Sequence, residues 1–255
     1  MADGARSRLV ARWFEVPRIE PFGDSALLVV LGEDPDLAVN RRVHRLASAV
    51  DDARGGWRQP PAGSAERKPK PAVGRPVAGF TSLLVPFDPT IVAPEAVDAF
   101  VRSVLHALPD EGAASPPGDE SPSREPVVIP VRYGGEDGPD LTDVADRNGL
   151  RPCDVVELHA ATTYEVLFLG FGPGFGYLGV LPDEIVTPRR STPRTRVPAG
   201  SVGIAGRQTC VYPFATPGGW NLIGRTSTTM WDPSRTDPAL LAPGMRVRFV
   251  PAGSS

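Results

Sequence analysis

The stretch VPAGSVGIAGRQTCVYPFATPGGWNLIGRT, residues 197–226, decides the fold class of the second half of the chain. Ser201 to Ala205, Gln208 to Tyr212 and Trp220 to Gly224 are short apolar runs separated by glycine and proline turns, the pattern of strands rather than helices. Tyr164 to Phe171 and Arg246 to Val250 repeat the pattern on either side. Beyond Thr163 helical periodicity disappears, so this region reads as a mostly β domain, a barrel or sandwich.

Upstream, helices return. Asp140 is expected to cap a short helix, Leu141 to Asn148, ended by Gly149. Pro152 opens another, with Val155, Val156 and Leu158 apolar and His159 near its end. Nearer the start, Glu15 to Glu20 and Ala26 to Leu31 read as strands around a turn at Pro21 to Asp24. Asp36 to Ala53 places Val39, Val43, Leu46 and Val50 on one helical face. A third strand is expected near Phe80 to Val85. A second helix opens at Pro94 and carries the stripe Val97, Phe100, Val101, Val104 and Leu108. Pro126 to Arg132 is read as the fourth strand. The order ββαβαβ predicts an α+β domain over residues 1–132, followed by the β domain over 133–255. Two proline-rich stretches, 55–79 and 109–126, are expected to be mobile surface insertions.

Composition narrows the chemistry. The 255 residues are 41% hydrophobic and 22% charged, which suits a soluble globular protein with one large core or two ordinary ones. The first residues, MADGARSRLVARWFEVPR, lack a secretory apolar block, and no apolar run is long enough to span a membrane. A cytoplasmic protein with neither membrane nor nucleic-acid partners is expected. Two cysteines, Cys153 and Cys210, exclude a disulfide framework and a structural zinc site. The net charge of −3 is uneven: residues 168–255 hold 9 basic and 4 acidic side chains, and Val186 to Arg225 contains six arginines and no acid. That run suggests a local anion site. With Lys68 and Lys70 the only lysines, both in a proline-rich stretch, an anion must be held by arginine, backbone amides or a metal.

Three segments could carry chemistry. GFGPGFGYLG, residues 170–179, fails as a dinucleotide fingerprint, because Pro173 and Pro182 leave no helix to present its amides. Its glycines permit close approach of a ligand or of another backbone, while Phe171, Phe175 and Tyr177 fill the opposite side; a glycine-rich barrel corner is the competing account. In VTPRRSTPRTRVP, residues 186–198, an extended chain would put Arg194 and Arg196 on one side, about 7 Å apart, as a clamp for a carboxylate or phosphate. The competing account is a solvated edge strand. Gln208, Thr209 and Arg225 either face a ligand or pair inside the barrel. Of the histidines, His44 and His106 sit in amphipathic helices, and only His159 lies close in sequence to the glycine-rich segment, as base, acid, ligand or helix C-terminal cap.

Taken together, FGDSALLVVLGE (22–33), FTSLLVPFDP (80–89), VRYGGEDGPDL (131–141), the PGF and YLG of 173–179, TPRRSTPRTRVPAGSVGIAG (187–206), QTCVYPFATPGGW (208–220) and LIGRT (222–226) resemble the family of 5-oxoprolinase B subunits, also described as allophanate hydrolase subunit 1. This family includes an inhibitor of a sporulation sensor histidine kinase. The resemblance covers most of the chain. It implies an α+β N-terminal domain joined to a cyclophilin-like β-barrel, and partnership with two other 5-oxoprolinase subunits, the C subunit, of related barrel architecture, and the A subunit. The implied reaction is the ATP-dependent opening of 5-oxoproline, a lactam, to L-glutamate, with a divalent metal ion a candidate companion of the nucleotide. Phosphorylation of the lactam oxygen would turn it into a leaving group. Kinase inhibition and a urea- or allophanate-type amide-processing role are the alternatives within the family.

On the matching positions, His159 and Arg225 are the expected catalytic residues. Arg194, Arg196, Gln208 and Thr209 are expected to face substrate, with Gly172, Gly174, Gly218 and Gly219 permitting close approach; no metal ligand is expected. The chain departs from the family pattern in Gly172 and Gly176, at its variable positions, and in Cys210, where a smaller residue is expected.

Overall fold

The computed structural model describes residues 17–33, 36–56, 72–109 and 125–253. The chain divides into two compact units, Met1–Glu120 and Ser121–Ser255.

The first unit is a four-stranded antiparallel sheet. Strands β1 (Arg18–Pro21), β2 (Ala26–Val30), β3 (Val77–Ala78) and β4 (Ser82–Pro86) lie in the order β1-β2-β4-β3. Leu27 and Val29 of β2 alternate with half-buried neighbours, as do Leu83 and Val85 of β4, so each strand turns one apolar row toward the core. Helices α1 (Leu37–Ala53) and α2 (Pro94–Ala107) supply the rest of that core through Val43, Leu46 and Val50, and through Val97, Phe100 and Val101. Asp36 caps α1, its Oδ1 accepting from the Ala38 amide at 2.6 Å, and Pro94 stands in the first turn of α2. Asn40 is buried on the apolar face of α1 because its Nδ2 donates to the carbonyls of Gly79 and Phe80, which satisfies an otherwise costly amide.

The second unit is a closed seven-stranded barrel. Its strands are β5 (Val127–Tyr133), β6 (Thr163–Leu169), β7 (Gly176–Gly179), β9 (Ser201–Ala205), β10 (Gln208–Val211), β12 (Asn221–Arg225) and β13 (Arg246–Pro251). The order is β10-β7-β6-β13-β5-β12-β9, closed by β9 against β10, and only β13 and β5 run parallel. Strands β8 (Arg194–Val197) and β11 (Thr216–Gly218) form a separate two-stranded ribbon. Helices α3 (Leu141–Arg147) and α4 (Pro152–Ala161) lie between β5 and β6 in sequence, and Leu141, Val144, Ala145 and Val155 join the barrel core of Ile129, Val131, Val166, Leu178 and Phe249.

The structure corrects three expectations. The fourth strand, β5, belongs to the barrel rather than to the N-terminal sheet: Ile129 and Val131 point into the barrel core, and the strand pairs with β13 and β12. The division between units therefore falls ahead of residue 127. Residues 72–79 are not part of a surface insertion, since Ala72 and Val73 are buried, Val73 bridges Phe87 and β3 adds to the sheet edge. Residues 57–71 and 110–124 of the two expected insertions lie outside the described residues, as do Glu15 and Val16. Asp140 stands before α3 but makes no side-chain capping bond, because its carboxylate is engaged elsewhere.

The turn between β5 and α3 is pressed against β12. The Gly134 amide donates to the Ile223 carbonyl and the Asp140 amide to that of Leu222. Gly138 makes this approach feasible: a Cβ there would sit 2.2 Å from the Ile223 carbonyl oxygen. Gly138→Ala is expected to lower stability by about 3 kcal/mol, the upper part of the range for overpacking, because the obstacle is backbone. Urea unfolding of the variant beside a Gly172→Ala control checks this, since nothing lies within 4 Å of a Cβ at Gly172 and its backbone is not left-handed.

Candidate functional site

The site grows from one acid. Asp140, whose side chain is 3% exposed, accepts four hydrogen bonds. Its Oδ1 takes Arg190 Nη1 and Arg194 Nη2, each at 2.8 Å. Its Oδ2 takes Arg194 Nη1 at 2.8 Å and the Leu222 amide at 2.7 Å. Arg194 therefore grips the carboxylate with both ends of its fork. The two guanidiniums outnumber the carboxylate, so the cluster keeps a net positive charge. It also ties the arginine-rich segment to β12 and to the start of α3.

Beside this cluster lies a cleft of 170 Å³ within the second unit. One wall is aromatic. Phe175, 2% exposed, is its centre, with Phe171, Tyr177, Tyr212 and Trp220 meeting its ring edge-on at centroid distances of 5.0 to 6.1 Å. These edge-to-face contacts suit the ring quadrupoles and hold the wall rigid. Arg189, Arg190, Pro193, Gly218 and Gly219 complete its lining.

Strand pairing explains the arrangement. Thr209 and Val211 of β10 face the barrel interior, so Cys210 and the following Tyr212 face outward into a second apolar cluster with Phe175 and Trp220. Gly218 lets Tyr212 lie across the ribbon, since a Cβ there would stand 2.6 Å from the phenol oxygen.

Two features of the cleft are energetically unusual. Phe171 is 65% exposed and sits at φ 66°, a left-handed conformation costly for a side chain of this size. Arg190 Nε is buried and has no hydrogen-bond acceptor. Arg189 is exposed and forms no hydrogen bond or ion pair among the described residues. Burial raises the Tyr177 and Tyr212 phenols above their ordinary range, and the nearby Arg189 charge partly offsets this in both.

The expected site residues do not assemble here. Arg194 and Arg196 share a strand, as the spacing predicts, but Arg194 is consumed by Asp140 and Arg196 is exposed, so they make no clamp. The cations of the cleft are instead the adjacent pair Arg189 and Arg190.

His159 and Thr209 do meet, inside the barrel and enclosed completely. Thr209 Oγ1 donates its one proton to the Gly203 carbonyl at 3.1 Å, so His159 Nε2 must donate to that oxygen at 2.9 Å. Nδ1 then accepts from the Tyr133 hydroxyl at 2.7 Å. A neutral imidazole satisfied at both nitrogens and stacked on Phe249 is a structural linchpin with no route to a ligand.

Arg225 Nε donates to the Ala199 carbonyl, and Arg225 does not line the cleft. Gln208 is half-buried outside the cleft lining, with Nε2 unpartnered. Gly172 approaches nothing, Gly174 makes room for the Met230 backbone, and only Gly218 and Gly219 border the cleft. Cys210 is a buried packing residue whose thiol is pushed well up by burial.

Asp140, Arg189, Arg190, Tyr212 and Trp220 were missed as site residues. The signal for the arginines was their adjacency in the acid-free run; for Asp140 it was the need of that run for a counter-charge from outside it.

The chain belongs to the family described as carboxyltransferase domain, subdomain C and D, whose model matches residues 17–241. Among curated relatives it is 42% identical to the 5-oxoprolinase B subunit of Escherichia coli O157:H7, over 90% of this chain and 93% of the relative. It is 41% identical to the 5-oxoprolinase B subunit of Bacillus subtilis (strain 168), over 91% and 92%. The crystal structure of TTHA0988 superposes with a TM-score of 0.69 at 35% identity, over 90% of this chain. This chain spans 40% of the length of TTHA0988. The expected α+β architecture with a barrel holds.

Asp140→Asn leaves two guanidiniums without their carboxylate and is expected to cost about 3 to 5 kcal/mol, whereas Arg196→Ala is expected to stay within about 0.5 kcal/mol. Chemical denaturation of both variants measures the contrast, and similar midpoints would refute it.

Burial lowers the His159 pKa from 6.5 to about 3, so the unfolded chain takes up a proton at a pH where the folded chain stays neutral. Stability attributable to this group is complete above pH 6.5 and falls as the pH drops toward about 3. From pH 7 to pH 5 the wild-type protein should lose about 2 kcal/mol that His159→Gln does not, read as the difference between their urea midpoints.

Proposed function

We propose that this chain is the B subunit of a heteromeric 5-oxoprolinase that opens 5-oxoproline to L-glutamate with ATP, together with the A and C subunits, in the cytoplasm. The observation carrying the reading is the end-to-end likeness to two curated B subunits, in which the chain and its relatives match over nearly their whole lengths. A family likeness confined to the barrel would support only a shared fold.

The residues of this chain suit the binding part of that task. A lactam acid offers a carboxylate and a flat amide ring, and the cleft offers guanidiniums beside aromatic faces. Water is partly excluded by the ring wall, which strengthens the electrostatic attraction. The cleft does not fit the nucleotide: at 170 Å³ it is well below the roughly 300 Å³ at which drug-sized pockets begin. Among the described residues no group of three His, Cys, Asp or Glu side chains converges to hold a metal ion. No described helix is long and apolar enough to cross a membrane.

The test is reconstitution. This chain, co-purified with the A and C subunits from the same source, should release L-glutamate and ADP in equal amounts when 5-oxoproline is supplied, and omission of this chain should abolish both. Full turnover without it, or ADP release indifferent to 5-oxoproline, would refute the assignment.

A further inference from the structure

We propose that the cleft of the second unit is a carboxylate site belonging to this chain alone, in which Arg189 and Arg190 hold the carboxylate of a small acid whose flat amide ring lies on the aromatic wall. The proposal deepens the reading above by naming the end of the ligand that this chain grips. It rests on that reading only for the choice of probe.

Charge is the first support. Arg190 and Arg194 share one carboxylate, that of Asp140, Arg189 adds a further guanidinium at the cleft, and none of the residues lining the cleft is acidic. All four bonds that Asp140 accepts are taken up by Arg190, Arg194 and the Leu222 amide, so it has little left to offer a third cation. The surplus positive charge calls for an anion from outside the protein.

Donors give the second support. Arg190 Nε is buried without an acceptor, although the same guanidinium is fixed through Nη1. Nε is enclosed, so a ligand oxygen is met by the exposed part of the same guanidinium, whose side chain is 34% exposed. Asp140 is thus a positioning residue, holding Arg190 through Nη1 while the exposed remainder of the guanidinium faces outward. Arg189 stands near enough for its charge to act on both Tyr177 and Tyr212.

Shape gives the third. Phe171 is held in a left-handed backbone conformation with its ring in solvent and its edge on Phe175, and strain of this kind persists where a surface clamps a ligand. The aromatic wall offers ring surface to a planar amide, and the 170 Å³ volume admits a five-membered ring bearing one carboxylate.

The experiment is calorimetric titration of the full chain alone with 5-oxoproline, with 2-pyrrolidinone, which has the ring but not the carboxylate, and with cyclopentanecarboxylate, which has the carboxylate but not the lactam. We expect 5-oxoproline to bind, 2-pyrrolidinone to bind at least about 10-fold more weakly, and added salt to weaken only the two acids. Arg189→Ala should weaken 5-oxoproline about 10- to 100-fold and leave 2-pyrrolidinone unchanged, as expected for the loss of one charge-assisted contact. Arg189 is exposed and unpartnered among the described residues, so this variant keeps its fold; its thermal melt verifies that. Phe171→Gly, at an exposed position, should weaken all three ligands together.

Absence of 5-oxoproline binding to the folded chain, equal binding of acid and lactam, or indifference to Arg189→Ala would each overturn the site. Binding without turnover in the reconstituted complex would sink the enzyme assignment and leave the site standing, while turnover without binding to this chain would do the reverse.

Discussion

The carboxylate of Asp140 is the constraint on which the second unit depends. A nearly buried acid is tolerable only when its lone pairs are filled, and here two arginines and the Leu222 amide fill them. In the same act a proline-spaced segment with little secondary structure of its own is fastened to the barrel wall. The segment then presents Arg189 and Arg190 beside the rings of Phe175, Tyr177 and Trp220. Electrostatics, loop conformation and cleft shape are three views of one arrangement, and weakening the acid disturbs all of them.

Buried polarity does two distinct jobs in this barrel. Around His159 a chain of hydroxyls and imidazole runs from Tyr133 to the Gly203 carbonyl, with each proton assigned, and it knits α4 to β5, β9 and β10. Around Asp140 the accounting is left open by one donor, Arg190 Nε, and by one exposed cation. A closed network stiffens and specifies packing, and the one around His159 is closed.

Much of the fold was legible because its signals are local. Periodicity located α1 and α2, Asp36 and Pro94 marked their starts, and the strands at 201–205 and 221–225 stood out between turns. β5 was misassigned because its alternation of Ile129 and Val131 says that one face is buried without saying against what, and its partner β13 lies more than a hundred residues away. The site was less legible for a similar reason. Spacing rightly put Arg194 and Arg196 on one strand, yet which arginine is spent on an internal acid depends on Asp140, some fifty residues earlier. His159 drew attention as the histidine nearest the glycine-rich segment, but only three-dimensional enclosure separates a packed imidazole from a reactive one.

The parallel pairing of β5 with β13 also bears on how the protein comes to be folded. These are the earliest and latest barrel strands in the sequence, and neither edge is protected until they meet. As the polypeptide emerges from the ribosome, the N-terminal sheet and its helices can pack from residues already at hand, while the barrel must wait for its last strand with open edges and apolar rows uncovered. High contact order of this kind slows closure and lengthens the interval in which intermolecular strand pairing competes.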